Sequence, residues 1–179
     1  MEGAMAEVSG ILQRMRELAV QAANGVATAT DNGYLQLEMD QLVAEIDAIA
    51  DDTRFNDVAV LSSGGTVSFY TDIDVAGTAI TVNSFTAGPE ALGVTETAVS
   101  IGVGATGIAS ITTVIKAVDT AIASVNSHRA TLGAVSNRFN HVIDNLTNVI
   151  ANTESARSRV EDADFAIETT QLTRNTVLQ

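Results

Sequence analysis

The 179-residue sequence contains no cysteine and no tryptophan, and its single proline is Pro89. Without cysteine, disulfide scaffolds and thiol chemistry are excluded. Aromatic residues make up 4% of the chain, so an aromatic-lined ligand pocket or a base-stacking platform is not expected. No segment reaches the ~18 apolar residues of a membrane span, and the first ten residues lack the basic and apolar regions of a secretory signal peptide. We therefore expect no membrane partner.

Basic residues are also scarce, because nine Lys and Arg stand against 22 Asp and Glu, for a net charge of −13. Nucleic-acid binding needs basic patches, so no nucleic-acid partner is expected. His128 and His141 lie on one predicted helix without neighbouring ligand residues, and we expect them to pack locally or to be solvated rather than to bind metal. The sequence predicts no catalytic residues, no metal and no cofactor.

Two amphipathic helices are predicted in the first sixty residues. Apolar residues from Val8 to Ala22 recur at intervals of three and four, which is typical of one buried helical face, and Asn24-Gly25 is a helix stop. Residues 28–33 precede a second helix, and Val58 to Leu61 is short and apolar enough for a strand. The second helix carries a heptad seam at Leu35, Met39, Leu42, Ile46 and Ile49.

The remainder of the chain divides into a β-rich stretch and a long helix. Residues 63–107 are rich in Gly, Ser and Thr, and the alternation in TVSFY and TAITVNSF predicts small β-hairpins with turns at SSGG and VAGT. From Ile108 a heptad pattern continues to Ile150, broken at Arg129 and Ser136, and predicts a long helix packed on the first two. A further helix is predicted to begin at Asp162.

These patterns predict a mainly α fold, an elongated antiparallel helical bundle or coiled coil with a β-hairpin and a small β-rich insert. Residues 1–62 and 108–157 are predicted to form one discontinuous helical core domain. Residues 63–107 form a variable β-rich insert, and residues 158–179 start a C-terminal helical segment.

Four segments of the chain resemble bacterial flagellin. They are LQRMRELAVQAANG, LVAEIDAIADDTRFN, RATLGAVSNRFNHVIDNL and ESARSRVEDADFAIETTQLTRNTVLQ, in the order that the family has them. The resemblance covers residues 1–62 and 108–179. It implies a structural subunit of the bacterial flagellar filament, which self-assembles through side and axial contacts. It also implies an extracellular location, reached through the flagellar export apparatus with a chaperone and without a cleaved signal.

Both ends of the chain stop inside a helical pattern, so we expect a core fragment that lacks most of the terminal polymerisation segments and is monomeric. One position departs from the family. Phe55-Asn56-Asp57 stands where flagellins usually have Phe-Asn-Gly, and because Asp tolerates a left-handed turn, we expect the turn to survive.

The resemblance further implies recognition by Toll-like receptor 5 through the first helix. The matching positions are Arg14 and Leu18, with Glu38 from the second helix, and Gln21 follows on the same flank. On a helical wheel Leu18 lies at the edge of the buried stripe, so we expect a partly exposed apolar anchor beside the arginine. The alternative is that Arg14 only covers a half-buried leucine and pairs with Glu17.

Two other functions remain open at this point. The chain could be a hook–filament junction protein or a secreted coiled-coil adhesin, either of which would be a binding module rather than a bulk polymer. The closeness of RMRELAVQAANG and ARSRVEDADFA to the family pattern favours flagellin. An enzyme ranks third.

Overall fold

The structure, a computed structural model, describes residues 1–24, 28–62, 64–71, 79–101 and 105–178, excluding the side chains of residues 105–109 and 162–166. The helices are α1 (Glu2–Ala23), α2 (Ala29–Asp52), α3 (Pro89–Leu92) and α4 (Ala105–Val177). The strands are β1 (Arg54–Phe55), β2 (Val58–Ala59), β3 (Thr66–Phe69) and β4 (Ile80–Asn83), which form two antiparallel hairpins. The predicted mainly α fold with small β-hairpins is confirmed.

The chain divides into two compact units, Met1–Val135 and Ser136–Gln179. The first unit holds α1, α2, both hairpins, α3 and the first part of α4, and the second unit holds the remainder of α4. The hydrophobic core lies in the first unit and is built mainly from the three long helices.

Helix α1 buries about half of its circumference. At 100° per residue its buried side chains span an arc of roughly 180°, which is wider than the stripe that one neighbouring helix requires. The helix ends at Ala23, as the Asn24-Gly25 stop predicts, although Asn24 itself is extended and Gly25 lies outside the described residues. The buried residues are Met5, Val8, Ser9, Leu12, Met15, Leu18, Ala19 and Ala22.

Two ion pairs connect α1 to α4 and show that these helices run antiparallel. Near the start of α1, the Glu2 carboxylate accepts a hydrogen bond of 2.9 Å from Arg129 Nε. Further along α1, Arg16 Nε lies 2.7 Å from Asp119 Oδ1. Arg129, which interrupts the apolar pattern of α4, is therefore the residue that pairs with the first turn of α1.

Helix α2 begins with a capping box. The Thr28 hydroxyl accepts a hydrogen bond from the Asp31 backbone N–H at 3.2 Å, and the Asp31 carboxylate accepts from both the Thr28 hydroxyl and the Thr28 N–H. These bonds satisfy backbone donors that the first turn of a helix otherwise leaves unpaired. The side-chain hydrogen bond from Thr28, followed by its backbone hydrogen bond, holds the pKa of Asp31 below its ordinary value of 3.8.

Replacing Thr28 with alanine is expected to lower the free energy of unfolding by about 1 kcal/mol at neutral pH, because the cap is lost. A carboxylate with a lowered pKa in the folded state stabilises the fold above its unfolded-state pKa and loses that effect as the pH falls. The difference between wild type and T28A should therefore shrink below pH 3.8. Urea unfolding at several pH values measures it. T30A, in the same turn but outside the capping box, is the control, and equal losses in both variants would contradict the capping role.

The β1–β2 hairpin is closed by a two-residue turn. Phe55 pairs with Val58, and the intervening Asn56 and Asp57 have φ angles of 52° and 63°. Positive φ at both central positions is the geometry of a type I′ turn, which the twist of a β-hairpin favours. The turn is therefore present with Asp57 where flagellins usually have glycine, as expected from the sequence.

Asp57→Gly is expected to raise the free energy of unfolding by roughly 0.5–1 kcal/mol, because glycine adopts positive φ without the steric conflict of a Cβ atom. Ala59→Gly in the adjoining strand is the matched control and should destabilise the protein, because a glycine there only adds freedom to the unfolded chain. Chemical denaturation of the two variants measures both signs. A loss of stability in D57G would contradict the strained-turn account.

The β-rich stretch contributes more to the helical core than the sequence indicates. Strands β3 and β4 occur at TVSF and ITVN as predicted, whereas the predicted VAGT turn lies outside the described residues. The chain then returns to the helices through α3, with Pro89 in its first turn and Gly93 at φ 71° ending it. The buried residues of this return segment are Phe85, Ala87, Pro89, Leu92, Val94, Val99 and Ile101.

Helix α4 corrects two sequence predictions. It begins at Ala105 and continues through residue 162 to Val177, so the prediction of a new helix at Asp162 is wrong. The predicted stripe is buried in the first unit only, where Ile111, Val118 and Val125 are buried and Ile115 and Ile122 are partly buried. Val114 and Ala121, which the stripe does not include, are buried beside them. The continuation of the stripe at Ile143, Leu146 and Ile150 is exposed. Length explains this, because α1 and α2 have 22 and 24 residues and α4 has 73.

Candidate recognition surface on helices α1 and α2

An arginine held between two carboxylates is the most specific polar feature of the α1–α2 pair. Arg14 lies on α1 and Glu38 on α2, and both Nε and Nη2 of the arginine contact the same Glu38 oxygen, Oε1, at 2.8 and 2.7 Å. Arg14 Nη1 also donates to Glu17 Oε2 at 3.3 Å, one helical turn further along α1. The predicted residues Arg14 and Glu38 are therefore in direct contact, and Glu17 joins them.

The carboxylates fix both the charge and the orientation of the arginine. The hydrogen bond to Glu38, followed by the one to Glu17, raises the pKa of Arg14 above its already high ordinary value. The side chains remain accessible, at 49% for Arg14 and 42% for Glu38. Exposed ion pairs of this kind add little to stability, since water and salt screen them. Their effect is to hold a forked donor in one place on the surface.

Leu18 does not lie on this surface. Its side chain is 0% exposed and belongs to the hydrophobic core, so the expectation of a partly exposed apolar anchor is wrong. The reason is the wide buried arc of α1, which extends past the stripe that a single-helix wheel shows. Leu18 supports the surface from within the core rather than presenting an apolar contact.

Gln21 is exposed and lines a shallow surface groove along α1. Glu17 lines the same groove and accepts the hydrogen bond from Arg14, so it connects Gln21 to the arginine cluster. The groove also contains Val20, an apolar side chain with 45% exposure that the sequence pattern did not single out. We call Arg14, Glu17, Gln21 and Glu38 the recognition surface.

Two exposed apolar side chains of α2 were missed by the sequence analysis. Tyr34 and Leu37 are among the exposed large hydrophobic residues, and Leu37 is the direct neighbour of Glu38. Neither residue belongs to the heptad seam of α2, and this indicates that both side chains point away from the seam. Exposed apolar residues beside a fixed ion pair are typical of protein-binding surfaces.

The described residues show neither a metal-ion cluster nor a membrane-spanning helix. They contain no group of three or more His, Cys, Asp or Glu side chains placed to hold a metal ion. The ring of His128 stacks on that of Phe85, with centroids 3.8 Å apart. His128 therefore packs locally, which is one of the two environments expected for it. Among the described helices, none is both long enough and apolar enough to cross a bilayer.

Two sequence families match the chain. Residues 1–66 match the bacterial flagellin N-terminal helical region, and residues 115–179 match the bacterial flagellin C-terminal helical region. The recognition surface lies in the first of these regions, and the exposed stripe of α4 lies in the second.

Individual proteins are similar over the whole chain. Flagellin FlaB2 of Treponema pallidum is 34% identical over 99% of this chain and 65% of its own length, and a flagellin of Halalkalibacterium halodurans is 36% identical over 99% of this chain and 64% of its own length. The crystal structure of Bacillus cereus flagellin matches with a TM-score of 0.62 and 32% identity over 80% of each chain. The chain thus spans about 65% of the length of the curated relatives.

Proposed function

The chain is a member of the flagellin family, and we propose that it is a structural, non-enzymatic part of the extracellular flagellar filament, assembling through side and axial contacts between copies. The match to the Bacillus cereus crystal structure over 80% of both chains carries this proposal. By the same membership, the flagellar export apparatus and its chaperone are proposed as partners during secretion. Assembly is proposed for the chain within a full-length flagellin, and the 179 residues alone are proposed to be monomeric.

The exposed stripe of α4 supports an assembly role. Ile143, Leu146, Val149 and Ile150 follow one another at helical spacing in the second unit, and Ile150 is 62% exposed. A row of large apolar side chains on a soluble helix needs a partner surface. Subunit contacts that do not close on themselves propagate as a helical polymer, which is the geometry a filament requires.

A chimera tests the filament role. This chain would replace the matching part of the Halalkalibacterium halodurans flagellin, 64% of that protein. The chimera is expected to form filaments in negative-stain electron microscopy, as the unmodified relative should under the same conditions. The 179-residue chain alone is expected to elute as a monomer from a size-exclusion column. A chimera that stays monomeric while the relative polymerises would overturn the proposal.

We also propose that Toll-like receptor 5 binds the recognition surface. The observation that favours this function is the pair of bonds from Arg14 to Glu38, because a guanidinium already held in place loses little conformational entropy on binding. Exposed apolar groups nearby, Val20 and Leu37, can supply the buried contact area. Leu18 acts here through the core and not by touching the receptor.

Arg14→Ala is expected to raise the concentration needed for half-maximal receptor activation by at least about tenfold, as removal of a central arginine does at protein interfaces. The melting temperature should change by less than about 2 °C, since exposed ion pairs contribute little to stability. A reporter cell line that expresses the receptor measures the first quantity, and circular dichroism measures the second.

Arg157→Ala is the control for this prediction. Arg157 lies on α4, is 66% exposed and also makes an ion pair, with Glu161, whereas Arg16 shares the groove of Glu17 and Gln21 and is unsuitable. If R157A weakens receptor activation as much as R14A, the effect reflects loss of any exposed cation and not the recognition surface. An unchanged response in R14A would remove the receptor proposal and leave the filament proposal intact.

A further inference from the structure

The return segment reaches α2 through a side-chain amide. We call Val94 to Ile101 the strap, because it passes from α3 towards α4 with Val94 and Val99 fully buried. At its end, the Ile101 N–H donates a hydrogen bond of 2.6 Å to Gln36 Oε1. Gln36 Nε2 in turn donates to Asp40 Oδ1, also at 2.6 Å. Gln36 thus joins the strap to a carboxylate one turn further along α2.

The chemistry of the three groups fixes the orientation of the amide. An ionised carboxylate only accepts hydrogen bonds, so only the NH2 group of Gln36 can approach Asp40. The carbonyl oxygen is then directed at the strap, where a backbone N–H can only donate. An amide turned the other way would place two donors together at Ile101 and two acceptors together at Asp40. Asp40 therefore orients Gln36 for its contact with the strap.

The strap ends next to the first turns of α4. Only residues 102–104 separate Ile101 from Ala105, where α4 begins. The carbonyl of Ser100 accepts a hydrogen bond of 3.0 Å from the Ser110 hydroxyl on α4. The last two residues of the strap are consequently bonded to α2 on one side and to α4 on the other.

We propose that Gln36, oriented by Asp40, is a positioning residue that fixes the end of the strap between α2 and the first turns of α4. A core of apolar side chains excludes water but is tolerant of small shifts along a helix axis. A directional bond to a buried backbone donor is not tolerant of such shifts, because the donor left unpaired is unfavourable. The end of the strap is thereby held at one position by a directional hydrogen bond as well as by its buried apolar side chains.

The first test is amide hydrogen exchange at Ile101, measured by NMR. Gln36→Leu keeps the side-chain size but removes the acceptor, and it is expected to speed exchange at Ile101 about tenfold, the effect of losing one buried hydrogen bond. Exchange at Val118 and Val125 in the core of α4 should change less than twofold, which separates a local effect from loss of stability. Asp40→Asn retains an acceptor for Gln36 and should leave exchange at Ile101 near the wild-type rate.

A second variant gives a readout that a space-filling role would not produce. Gln36→Glu places a second carboxylate against Asp40, and at neutral pH the two charges repel and the strap should be released. At acidic pH one shared proton lets the pair form a hydrogen bond again, with an oxygen left to accept from Ile101. Protection of Ile101 in Q36E, corrected for intrinsic exchange, should therefore rise as the pH falls, while protection in Q36L stays at its reduced level.

Two results would overturn the proposal. One is an unchanged exchange rate at Ile101 in Q36L, which would mean that apolar packing alone holds the strap. The other is equal exchange of Q36E and Q36L at every pH. If Q36L proves too unstable for NMR, the wild type and Asp40→Ala decide the matter, because loss of the orienting carboxylate should also speed exchange at Ile101 and equal rates would refute the mechanism.

Discussion

Leu18→Ala is expected to lower the free energy of unfolding by roughly 2–5 kcal/mol, the range measured when a large aliphatic side chain is removed from a core. The side chain is fully buried in the hydrophobic core, so its truncation leaves a cavity there. Urea unfolding followed by circular dichroism measures the change. Val20→Ala, on the exposed side of the same helix, should lie within about 0.5 kcal/mol of wild type.

The predictions for Leu18 and Arg14 distinguish loss of the fold from loss of a receptor contact. If the receptor proposal holds, a Leu18 variant should lose receptor activation because α1 is displaced or unfolded, whereas an Arg14 variant should lose it with the fold intact. Receptor assays on L18A should therefore be read beside the fraction of folded protein at the assay temperature. A destabilisation below about 1 kcal/mol would mean that Leu18 is more accessible than its burial indicates, and would restore it as a contact residue.

The difference at Leu18 shows what a helical wheel can and cannot predict. Periodicity locates the centre of a buried face, and the residues at that centre, Val8, Met15 and Ala22, are buried as predicted. It does not give the width of the face, which depends on how many neighbours the helix has. Helix α1 has two, because Arg14 pairs with α2 and Arg16 with α4. Only the three-dimensional arrangement reveals that Leu18 is enclosed.

Helix α2 shows the same limit in a milder form. The predicted seam residues Met39 and Ile46 are buried, and the other predicted positions Leu35, Leu42 and Ile49 are only partly buried. The other buried apolar residues of α2 are Val43 and Ala50, each directly after a partly buried seam residue. The predicted heptad spacing is therefore correct. The buried face of α2 is rotated about the helix axis relative to the predicted face, and contacts with the core determine this rotation.

The return segment could not be predicted from periodicity. The buried residues alternate only over short stretches, as at Phe85, Ala87 and Pro89, and the alternation breaks before Leu92 without forming a strand. Segments of this kind are ordered by tertiary contacts such as the bond from Ile101 to Gln36. The ion pair of Arg14 with Glu38 is another long-range contact, and its residues were identified through the flagellin resemblance because no local pattern marks them.

The largest difference in local stability is expected along α4 itself. Amide protons of Ile111 to Val125 lie in the core and should exchange only when the first unit opens, at a free energy of about 5–15 kcal/mol for a typical domain. Amides from Ile143 to Val160 belong to a helix with exposed side chains and many Asn, Thr and Val residues of low helix propensity. Their exchange is expected to be faster by a factor on the order of a thousand or more.

Hydrogen exchange followed by mass spectrometry on proteolytic fragments compares the two stretches within one helix, so the first stretch serves as the internal control. Equal protection along all of α4 would contradict the account, because it would require contacts for the second unit that its exposed side chains do not make. The same measurement on filaments of the chimera extends the test. If the stripe of Ile143, Leu146 and Ile150 is covered on assembly, protection of this stretch should rise there while that of the first stretch stays constant. Burial of these side chains would then supply apolar free energy that favours the polymer over the monomer.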